Sequence, residues 1–511
     1  MADESELGDG HDLESKLSDH KRFKKDLEPP FKQIKNLTFS SWVDERMPEM
    51  LWAVLVVGSL GRDSALAFFR SVADFVHKYP ECYNVELSAI SRYTEVERRD
   101  FIKMVSTWSG EVKTALRPLT LFPTLPAIDD WKQFLDQSIP NDDWPKLAVA
   151  VDKSFWHQSD EATDCRWVKV LCQMAGGKIL FTTQMRDSAR AIIEYPNYGD
   201  LNHVRPSIRA SEIGLVSSAN INSSQWSKDF WQVCFNETGC TPEEAIGHRI
   251  ANRRQEFSDV TEKKRASFMK ESAEIRLQLI NHFFSNCNSS KMDSRLEGSF
   301  GLALFAFTLF VEIGFFDIPF SISGRMALRM LVETYITLKY LLLKEKTDMR
   351  VWQDYRSYGT GQLKLQCLKL RESGDRVSSI DAEDLYSLAN DDLWLEFVPI
   401  NLGHWDSANL RQMSEEAGLK DVYDKYYSYT SGYMHANWGA VRESVLQKCV
   451  NPLHRFHKVP IYDLPLMSNV LSDAIEIVNG ILECTSEAYP TFETRVSQVS
   501  ASVAEPGEPG H

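Results

Sequence analysis

Ser431 and His435 lie four residues apart in the stretch YYSYTSGYMHANWGAVRES (residues 426–444), among aromatic and large apolar side chains. A histidine can accept and donate protons near neutral pH, and an arginine can stabilise negative charge on a phosphoryl group. If residues 424–442 form one continuous helix, six side chains lie on one stripe about 60° wide. They are Asp424, Ser428, Ser431, His435, Trp438 and Arg442. The spacing predicts a polar face suited to acid–base chemistry; a core histidine satisfied by a neighbouring carbonyl or hydroxyl is the alternative.

A second candidate helix, SISGRMALRMLVETYITLKYLLLKEK (residues 321–346), carries Arg325, Arg329 and Glu333 at positions i, i+4 and i+8. Most of its other positions are apolar, so little of its surface is available to solvent. Arg329 and Glu333 are either an ordinary i,i+4 surface pair or part of a polar cavity that also contains His435. We take Arg329, Glu333, Ser431 and His435 as the candidate catalytic residues.

A basic loop, CVNPLHRFHKVP (residues 449–460), contains His454, Arg455 and His457 between two prolines. Together with Arg442, these residues are the candidate phosphate-binding set, since cationic side chains that donate hydrogen bonds bind phosphate oxygens. A basic loop that is simply solvated is the alternative interpretation.

The chain as a whole is acidic, with 72 Asp and Glu against 57 Lys and Arg in 511 residues and a formal net charge of −15. Proteins that bind nucleic acid over a broad surface are usually basic, so any such site must be local. The nine cysteines are scattered without a Cys-x-x-Cys pair, which argues against a disulfide framework or zinc knuckle. The scattered cysteines predict a reducing, cytoplasmic location. Walker-loop, Gly-x-Ser-x-Gly and His-Glu-x-x-His motifs are also absent, so we predict no metal and no cofactor.

Export and membrane insertion are not expected from the sequence. The first 30 residues are charged throughout and lack the apolar stretch of a secretion signal. The run at residues 299–320 is about long enough to span a membrane, but it contains Glu312, Asp317 and Pro319. We predict that this run is a buried core helix.

The hydrophobic periodicity is helical almost throughout, which predicts an all-α protein with an N-terminal helical domain followed by a C-terminal helical bundle. The predicted helices include a continuous one at residues 420–447, and the polar stretch at 196–229 is predicted to be a long loop. The predicted division of the chain is a disordered tail, two domains and a second tail: residues 1–24, 25–257, 258–492 and 493–511.

The motifs GRMALRMLVETYITLKYL, WQDYRSYG and YYSYTSGYMHANWGAVRES resemble a bacterial family of helical proteins, the domain of unknown function 5677 family. The resemblance covers roughly residues 260–490 and assigns Arg329 and Glu333 to an Arg-x-x-x-Glu helix. It assigns Ser431 and His435 to a later Ser-x-x-x-His helix. That family is distantly similar to the HEPN helical bundles, many of which are metal-independent ribonucleases of toxin and antiphage systems that use an Arg and a His on one helix.

Two classes of function are compatible with these residues. In the first, the protein is a metal-independent RNA phosphodiesterase with His435 as general acid/base, Arg329 and Arg442 stabilising charge, and Glu333 orienting a partner. In the second, slightly favoured, it is a non-catalytic sensor or interaction module whose Arg/Glu/His cluster fixes helix register or binds a small anion. For partners we expect RNA or another phosphate-bearing ligand and no membrane; a protein partner and a homo-oligomer remain open.

Overall fold

The chain forms two compact units, Met1–Thr241 with Cys449–His457 and Pro242–Lys448 with Lys458–His511. The structure, a computed structural model, describes residues 20–24, 26–28, 40–179, 185–218, 225–242, 249–290, 292–314, 318–373, 379–390, 399–403, 405–461 and 467–497. The sequence analysis divides the chain once, between residues 257 and 258. In the structure the division falls after Thr241, and the segment Cys449–His457 belongs to the N-terminal unit.

Where the structure describes it, the N-terminal unit is helical apart from a short antiparallel hairpin of Lys21–Phe23 and Asp26–Glu28, which starts within the predicted tail. Short 3-10 turns lie at Pro80–Cys82, Arg117–Leu121 and Pro452–His454, and a wider helical turn lies at Trp42–Arg46. The α-helices of this unit are Met47–Glu49, Leu51–Leu60, Arg62–Lys78, Leu87–Ile90, Glu95–Thr107, Gly110–Leu116, Ile128–Phe134, Pro140–Phe155, Asp160–Ala175, Arg186–Ile193, Leu201–Ser218 and Gln225–Glu237. The prediction of an all-α fold is confirmed.

The core of the N-terminal unit is built around the helix Leu51–Leu60, which is buried from Leu51 to Val57. Trp52 is fully buried and meets three phenylalanine rings edge-on, with centroid separations of 6.1, 5.9 and 6.5 Å to Phe68, Phe69 and Phe101. Such edge-to-face pairs stabilise a core beyond the area that they bury. This apolar interior agrees with the aromatic content of the sequence.

The prediction of a long loop at residues 196–229 is wrong. Leu201–Ser218 is a helix, and a second helix begins at Gln225. Val204, Ile208 and Glu212 follow one another at i, i+4 and i+8 and are all buried. Glu212 accepts a hydrogen bond from Lys169 Nζ at 3.0 Å and also from Arg46. Glu212 interrupts the apolar stripe of this helix, so the helical periodicity is not evident from the local sequence. The cations that compensate its charge lie far away in the chain.

The described residues of the C-terminal unit form helices and one small hairpin, Leu446–Lys448 paired antiparallel with Lys458–Pro460. Its long helices pack around a core that includes Phe300, Phe310, Leu331, Ile336 and Ile481. A 3-10 turn lies at Ile318–Phe320 and a wide helical turn at Tyr423–Tyr427. The α-helices are Arg249–Asn286, Ser294–Ile313, Ile322–Lys344, Val351–Ser373, Ala382–Asn390, Leu410–Glu416, Lys420–Val422, Ser428–Met434, Trp438–Val445 and Leu471–Ala488.

The prediction of one continuous helix over residues 420–447 is also wrong. The helix Ser428–Met434 ends at His435, and Ala436 adopts a left-handed conformation with φ of 47°. The Asn437 N–H donates to the Gly432 carbonyl at 2.9 Å. A left-handed residue followed by this hydrogen bond is the Schellman termination of a helix, which usually has glycine where this chain has Ala436. A new helix then starts at Trp438.

The apolar run near residue 300 forms the helix Ser294–Ile313, the one helix of the described residues that is long and apolar enough to cross a membrane. Phe300, Ala306 and Phe310 from this helix are buried in the core of the C-terminal unit. Glu312 is exposed near its C-terminal end. The packing agrees with the prediction of a core helix.

Candidate functional site

The helix Ile322–Lys344, here called the arginine helix, positions the first two candidate residues. Ser321 caps its start, because the Ser321 hydroxyl accepts from the Gly324 N–H at 3.3 Å. The apolar side chains of this helix, such as Leu331 and Ile336, are fully buried. Arg329 lies at the edge of that face with only 12% of its side chain exposed, whereas Glu333 is 39% exposed.

The Arg329 guanidinium connects the arginine helix to the tyrosine segment, defined as residues 423–434. Its Nε donates to Glu333 Oε1, its Nη1 to Ser431 Oγ and its Nη2 to Tyr427 Oη, each at 2.9 Å. The guanidinium carbon also lies 4.6 Å from the centre of the Tyr427 ring. Three of its five N–H donors are therefore occupied within the protein. The structure brings Arg329, Glu333 and Ser431 together.

Tyr427 is a member of this network that the sequence analysis missed. It lies one helical turn before Ser431, so both hydroxyls face Arg329. Its ring stacks on Tyr423 with a centroid separation of 4.6 Å. Burial raises the pKa of Tyr427, so the phenol stays protonated at neutral pH. The i,i+4 spacing of Tyr427 and Ser431 is the signal that could have identified it.

His435 lies outside this network. It terminates the tyrosine segment, is exposed, and its ring forms no hydrogen bond with a described residue. Because the helix ends at this residue, His435 and Ser431 do not continue along one helical stripe to Trp438 and Arg442. A general acid/base is normally oriented by a second group, and none of the described residues holds the His435 ring by a hydrogen bond.

A basic cleft of about 460 Å³ lies beside the helix Trp438–Val445, which we call the tryptophan helix. Its charged lining residues are three cations and one anion, and neither Arg442 nor Lys458 forms an ion pair within the described part of the chain. Lys448 and Lys458 are direct cross-strand partners in the hairpin. Like charges opposite each other destabilise a hairpin. The cleft is lined by Gly439, Arg442, Glu443, Leu446, Gln447, Lys448 and Lys458.

Trp438 is 67% exposed and directly precedes Gly439, which lines the basic cleft. It lies four residues before Arg442 on the tryptophan helix, so the two side chains share one face. Glu443, the anion of the cleft, accepts a hydrogen bond from the Tyr429 hydroxyl at 2.8 Å. An exposed indole next to cationic side chains is the combination that binds a base and its phosphate.

The remaining three predicted phosphate ligands lie in the N-terminal unit. Arg455 forms an ion pair with Asp44 and lies 5.6 Å from the centre of the Trp231 ring. His454 is only 5% exposed, and burial lowers the pKa of its imidazole. Of the predicted phosphate-binding set, Arg442 is therefore the member in the basic cleft.

His454 and His457 converge with Cys240 and Cys449 in a Cys/His cluster inside the N-terminal unit. One ligand atom from each of the four residues lies within 4.8 Å of all the others. The sequence analysis missed Cys240, which precedes His454 by 214 residues. The spacing of Cys449, His454 and His457 in CVNPLHRFHKVP was the available signal, but the fourth residue could not be assigned from spacing.

A separate acidic cleft of about 970 Å³ lies in the C-terminal unit. Its lining contains one cation, Arg495, and four carboxylates that would repel a phosphate group: Asp421, Asp473, Glu476 and Glu483. Glu333 lines a different open groove of about 550 Å³, together with Glu297. Charge therefore distinguishes the smaller basic cleft from both larger cavities.

Comparisons with known proteins give one finding. Residues 306–449 match the model described as a family of unknown function, DUF5677. No curated protein and no solved structure matches the chain. The matched range contains Arg329, Glu333, Ser431 and His435, and it confirms the resemblance inferred from the sequence motifs. Residues 306–449 are therefore similar to the DUF5677 family of unknown function.

Proposed function

We propose that the C-terminal unit is a non-catalytic recognition module that binds a phosphate-bearing ligand, RNA in the first instance, in the basic cleft. The observation that carries this proposal is the pairing of Lys448 with Lys458 directly across the hairpin, next to Arg442. A phosphate placed beside this hairpin is attracted by its positive charge and accepts hydrogen bonds from Arg442 and Lys458.

The charge distribution supports a local phosphate site. The chain carries a formal net charge of −15, while the charged lining of the cleft is three cations against Glu443. A polyanion approaching an acidic protein is attracted only where cations are concentrated. Binding should accordingly be restricted to a few phosphates and depend on salt.

Trp438 supports a nucleotide-containing ligand over inorganic phosphate. A tryptophan that is 67% exposed leaves a large apolar surface in water. Stacking a base on such a ring contributes about 1–3 kcal/mol, and every base has a suitable face. The cleft and the tryptophan together provide a phosphate site and a stacking surface for single-stranded RNA.

The Arg329 network supports a structural rather than a catalytic role for the Arg-x-x-x-Glu and Ser-x-x-x-His motifs. Arg329 is tied to Glu333, Ser431 and Tyr427, so it fixes the arginine helix against the tyrosine segment. A guanidinium that already donates through Nε and both Nη atoms is a weaker phosphate clamp than a free one. We assign this network to fastening the arginine helix to the tyrosine segment, which precedes the tryptophan helix in the chain.

A HEPN-like ribonuclease is the second candidate function, favoured by the exposure of His435 in the matched region. The sequence analysis also missed Arg276 and His282, six residues apart on the helix Arg249–Asn286. That spacing rotates the two side chains about 120° apart. His282 is 9% exposed, and its Nε2 is bonded to the Tyr489 carbonyl at 2.9 Å. Arg276 and His282 therefore contribute to packing and do not support a nuclease function.

The test measures binding of a fluorescein-labelled single-stranded RNA to the full chain by fluorescence anisotropy, without added metal. Arg442→Gln and Lys458→Gln should each weaken binding about tenfold, since each removes a charge-assisted hydrogen bond. Trp438→Ala should weaken it by a similar factor. Arg350→Gln is the matched control, because Arg350 is 77% exposed and lies outside the cleft. Its affinity should equal that of the wild type.

The same samples distinguish the two candidate functions when RNA cleavage is followed on a gel. The binding proposal predicts intact RNA with wild-type protein, and unchanged affinity for His435→Gln. Cleavage by the wild type that falls about a hundredfold or more in His435→Gln would establish the nuclease instead. Failure of the wild type to bind RNA would contradict the proposal.

A further inference from the structure

We propose that Cys240, Cys449, His454 and His457 form a structural zinc site in the N-terminal unit. The sequence analysis predicts no metal, and the present proposal departs from it because folding brings Cys240 to the Cys449–His457 segment. Two thiolates and two imidazoles are a common ligand set for structural zinc. The site is independent of the function proposed for the C-terminal unit.

The distances between the ligand atoms fit a tetrahedral ion. Cys240 Sγ lies 3.4 Å from His454 Nδ1 and 3.4 Å from His457 Nε2. Cys449 Sγ lies 3.7 Å from His454 Nδ1. A tetrahedron with zinc–sulfur bonds of about 2.3 Å and zinc–nitrogen bonds of about 2.05 Å has sulfur–nitrogen edges of about 3.6 Å. The separations therefore match the edges of a zinc coordination shell.

A hydrogen bond from Nε2 of His454 orients the imidazole ring so that Nδ1 is available to a metal ion. Its Nε2 lies 3.1 Å from the Thr238 carbonyl oxygen, so Nε2 carries the proton and donates to that oxygen. The Nδ1 lone pair then faces the two sulfur atoms. A histidine whose second ring nitrogen donates to a backbone carbonyl is the usual outer-shell arrangement at zinc sites.

A backbone N–H group donates to one of the two sulfur atoms. The Thr241 N–H donates to Cys449 Sγ at 3.4 Å, and Cys449 is fully buried. The Val450 N–H donates to the Thr241 carbonyl at 2.8 Å, which holds the two chain segments together. An N–H donor near a sulfur stabilises its negative charge. Zinc binding would release the two thiol protons to solvent and leave a neutral set of two thiolates and Zn²⁺.

The turn between the two histidines is built to aim both rings at one point. Arg455 and Phe456 are consecutive left-handed residues, with φ of 55° and 48°. Non-glycine residues rarely adopt this conformation, and two in a row cost free energy that the surroundings must offset. Phe235 packs against both imidazoles, with ring centroids 5.0 Å from His454 and 5.6 Å from His457. A metal bond to each imidazole would offset the strain.

The four protein ligands fill a tetrahedral shell, so the proposed ion has a structural and not a hydrolytic role. It would fasten the segment Cys449–His457 to the turn that follows the helix Gln225–Glu237, within the N-terminal unit. Asn451 Nδ2 already donates to the Gly239 carbonyl at 2.9 Å across the same junction. Zinc would add one metal bond from Cys240 on one side of this junction and three from the segment Cys449–His457 on the other.

The experiment measures the zinc content of the purified full chain by mass spectrometry and the visible spectrum after exchange with Co²⁺. We expect about one zinc per chain and the intense absorption bands of tetrahedral cobalt with thiolate ligands. Cys240→Ser and Cys449→Ser should lose most of the zinc and shift those bands. Cys287→Ser is the matched control, because Cys287 is an exposed free cysteine outside the cluster.

Cys449 is buried, so Cys449→Ser could fail to fold for reasons of packing. Cys240 is exposed, so Cys240→Ser should fold normally. Its zinc content and the cobalt spectrum of the wild type therefore test the proposal without that ambiguity. Wild-type protein expressed with added zinc that carries no metal and gives no tetrahedral cobalt bands would overturn the proposal. Wild-type zinc content in Cys240→Ser, or a Cys240–Cys449 disulfide in the purified protein, would overturn it as well.

Discussion

Arg329 and Arg350 each precede a carboxylate by four residues, yet their environments differ. The Arg329 side chain is 12% exposed and bonded to Ser431 and Tyr427 in addition to Glu333. The Arg350 side chain is 77% exposed, and Asp354 at 3.5 Å is its ion-pair partner. Arg329 should therefore contribute to stability, while Arg350 should contribute little.

The first prediction compares these two arginines. Arg329→Met should lower the free energy of unfolding by about 2 kcal/mol, because one hydrogen bond within the arginine helix and two hydrogen bonds to the tyrosine segment are lost. Arg350→Met, the control, should change it by less than about 0.5 kcal/mol. Urea unfolding followed by circular dichroism measures both. Equal effects of the two substitutions would show that the Arg329 network does not fasten these helices.

The second prediction concerns Glu212, which is 1% exposed and is surrounded by cations. Burial alone would raise the pKa of Glu212, but the nearby Lys169, Arg46 and Arg166 hold it below its usual value of 4.5. Glu212→Gln should destabilise the N-terminal unit by about 3 kcal/mol at neutral pH, since it leaves buried cations without their partner.

The pH dependence of that effect has a definite sign. A carboxyl whose pKa is lowered by folding stabilises the protein above its unfolded pKa, and this contribution is lost as the pH falls through the folded value. The difference between wild type and Glu212→Gln should therefore shrink below about pH 4.5. Glu194→Gln, in an exposed i,i+4 pair with Arg190, is the control and should show little difference at any pH. A constant difference for Glu212→Gln would contradict the assignment.

At the scale of elements, the sequence predicted what depends on local periodicity. Arg329 and Glu333 share a face because they are four residues apart, and an otherwise apolar helix directs that face toward the tyrosine segment. His435 was misplaced because its helix ends at a left-handed alanine, without the glycine or proline that marks most helix ends. Cys240 could not be paired with Cys449 from the sequence, because their proximity arises from long-range folding.

The third prediction tests the helix end at Ala436. Ala436→Gly should raise the free energy of unfolding by about 0.5–1 kcal/mol, because glycine adopts a φ of 47° without the steric cost that alanine has. Ala266→Gly is the control, since Ala266 is exposed within the helix Arg249–Asn286 and glycine there should destabilise by about 0.5–1 kcal/mol. If residues 420–447 were one helix, both substitutions would destabilise.

At the scale of the whole molecule, an acidic chain concentrates cations in the basic cleft. The formal net charge of −15 should weaken non-specific association with polyanions, so that RNA binding reports the cleft and not the general surface. Arg442, Lys448 and Lys458 limit the number of phosphates that can be neutralised to about three. The salt dependence of binding therefore measures how many phosphates the cleft contacts.

The central claim is tested most directly by measuring RNA affinity over a range of salt concentrations. Three phosphate contacts to single-stranded RNA predict a slope of about −2 in a plot of log affinity against log salt. Arg442→Gln should reduce the slope to about −1.4, and Arg350→Gln should leave it unchanged. The same slope for wild type and Arg442→Gln would contradict the assignment of the basic cleft as the phosphate-binding site.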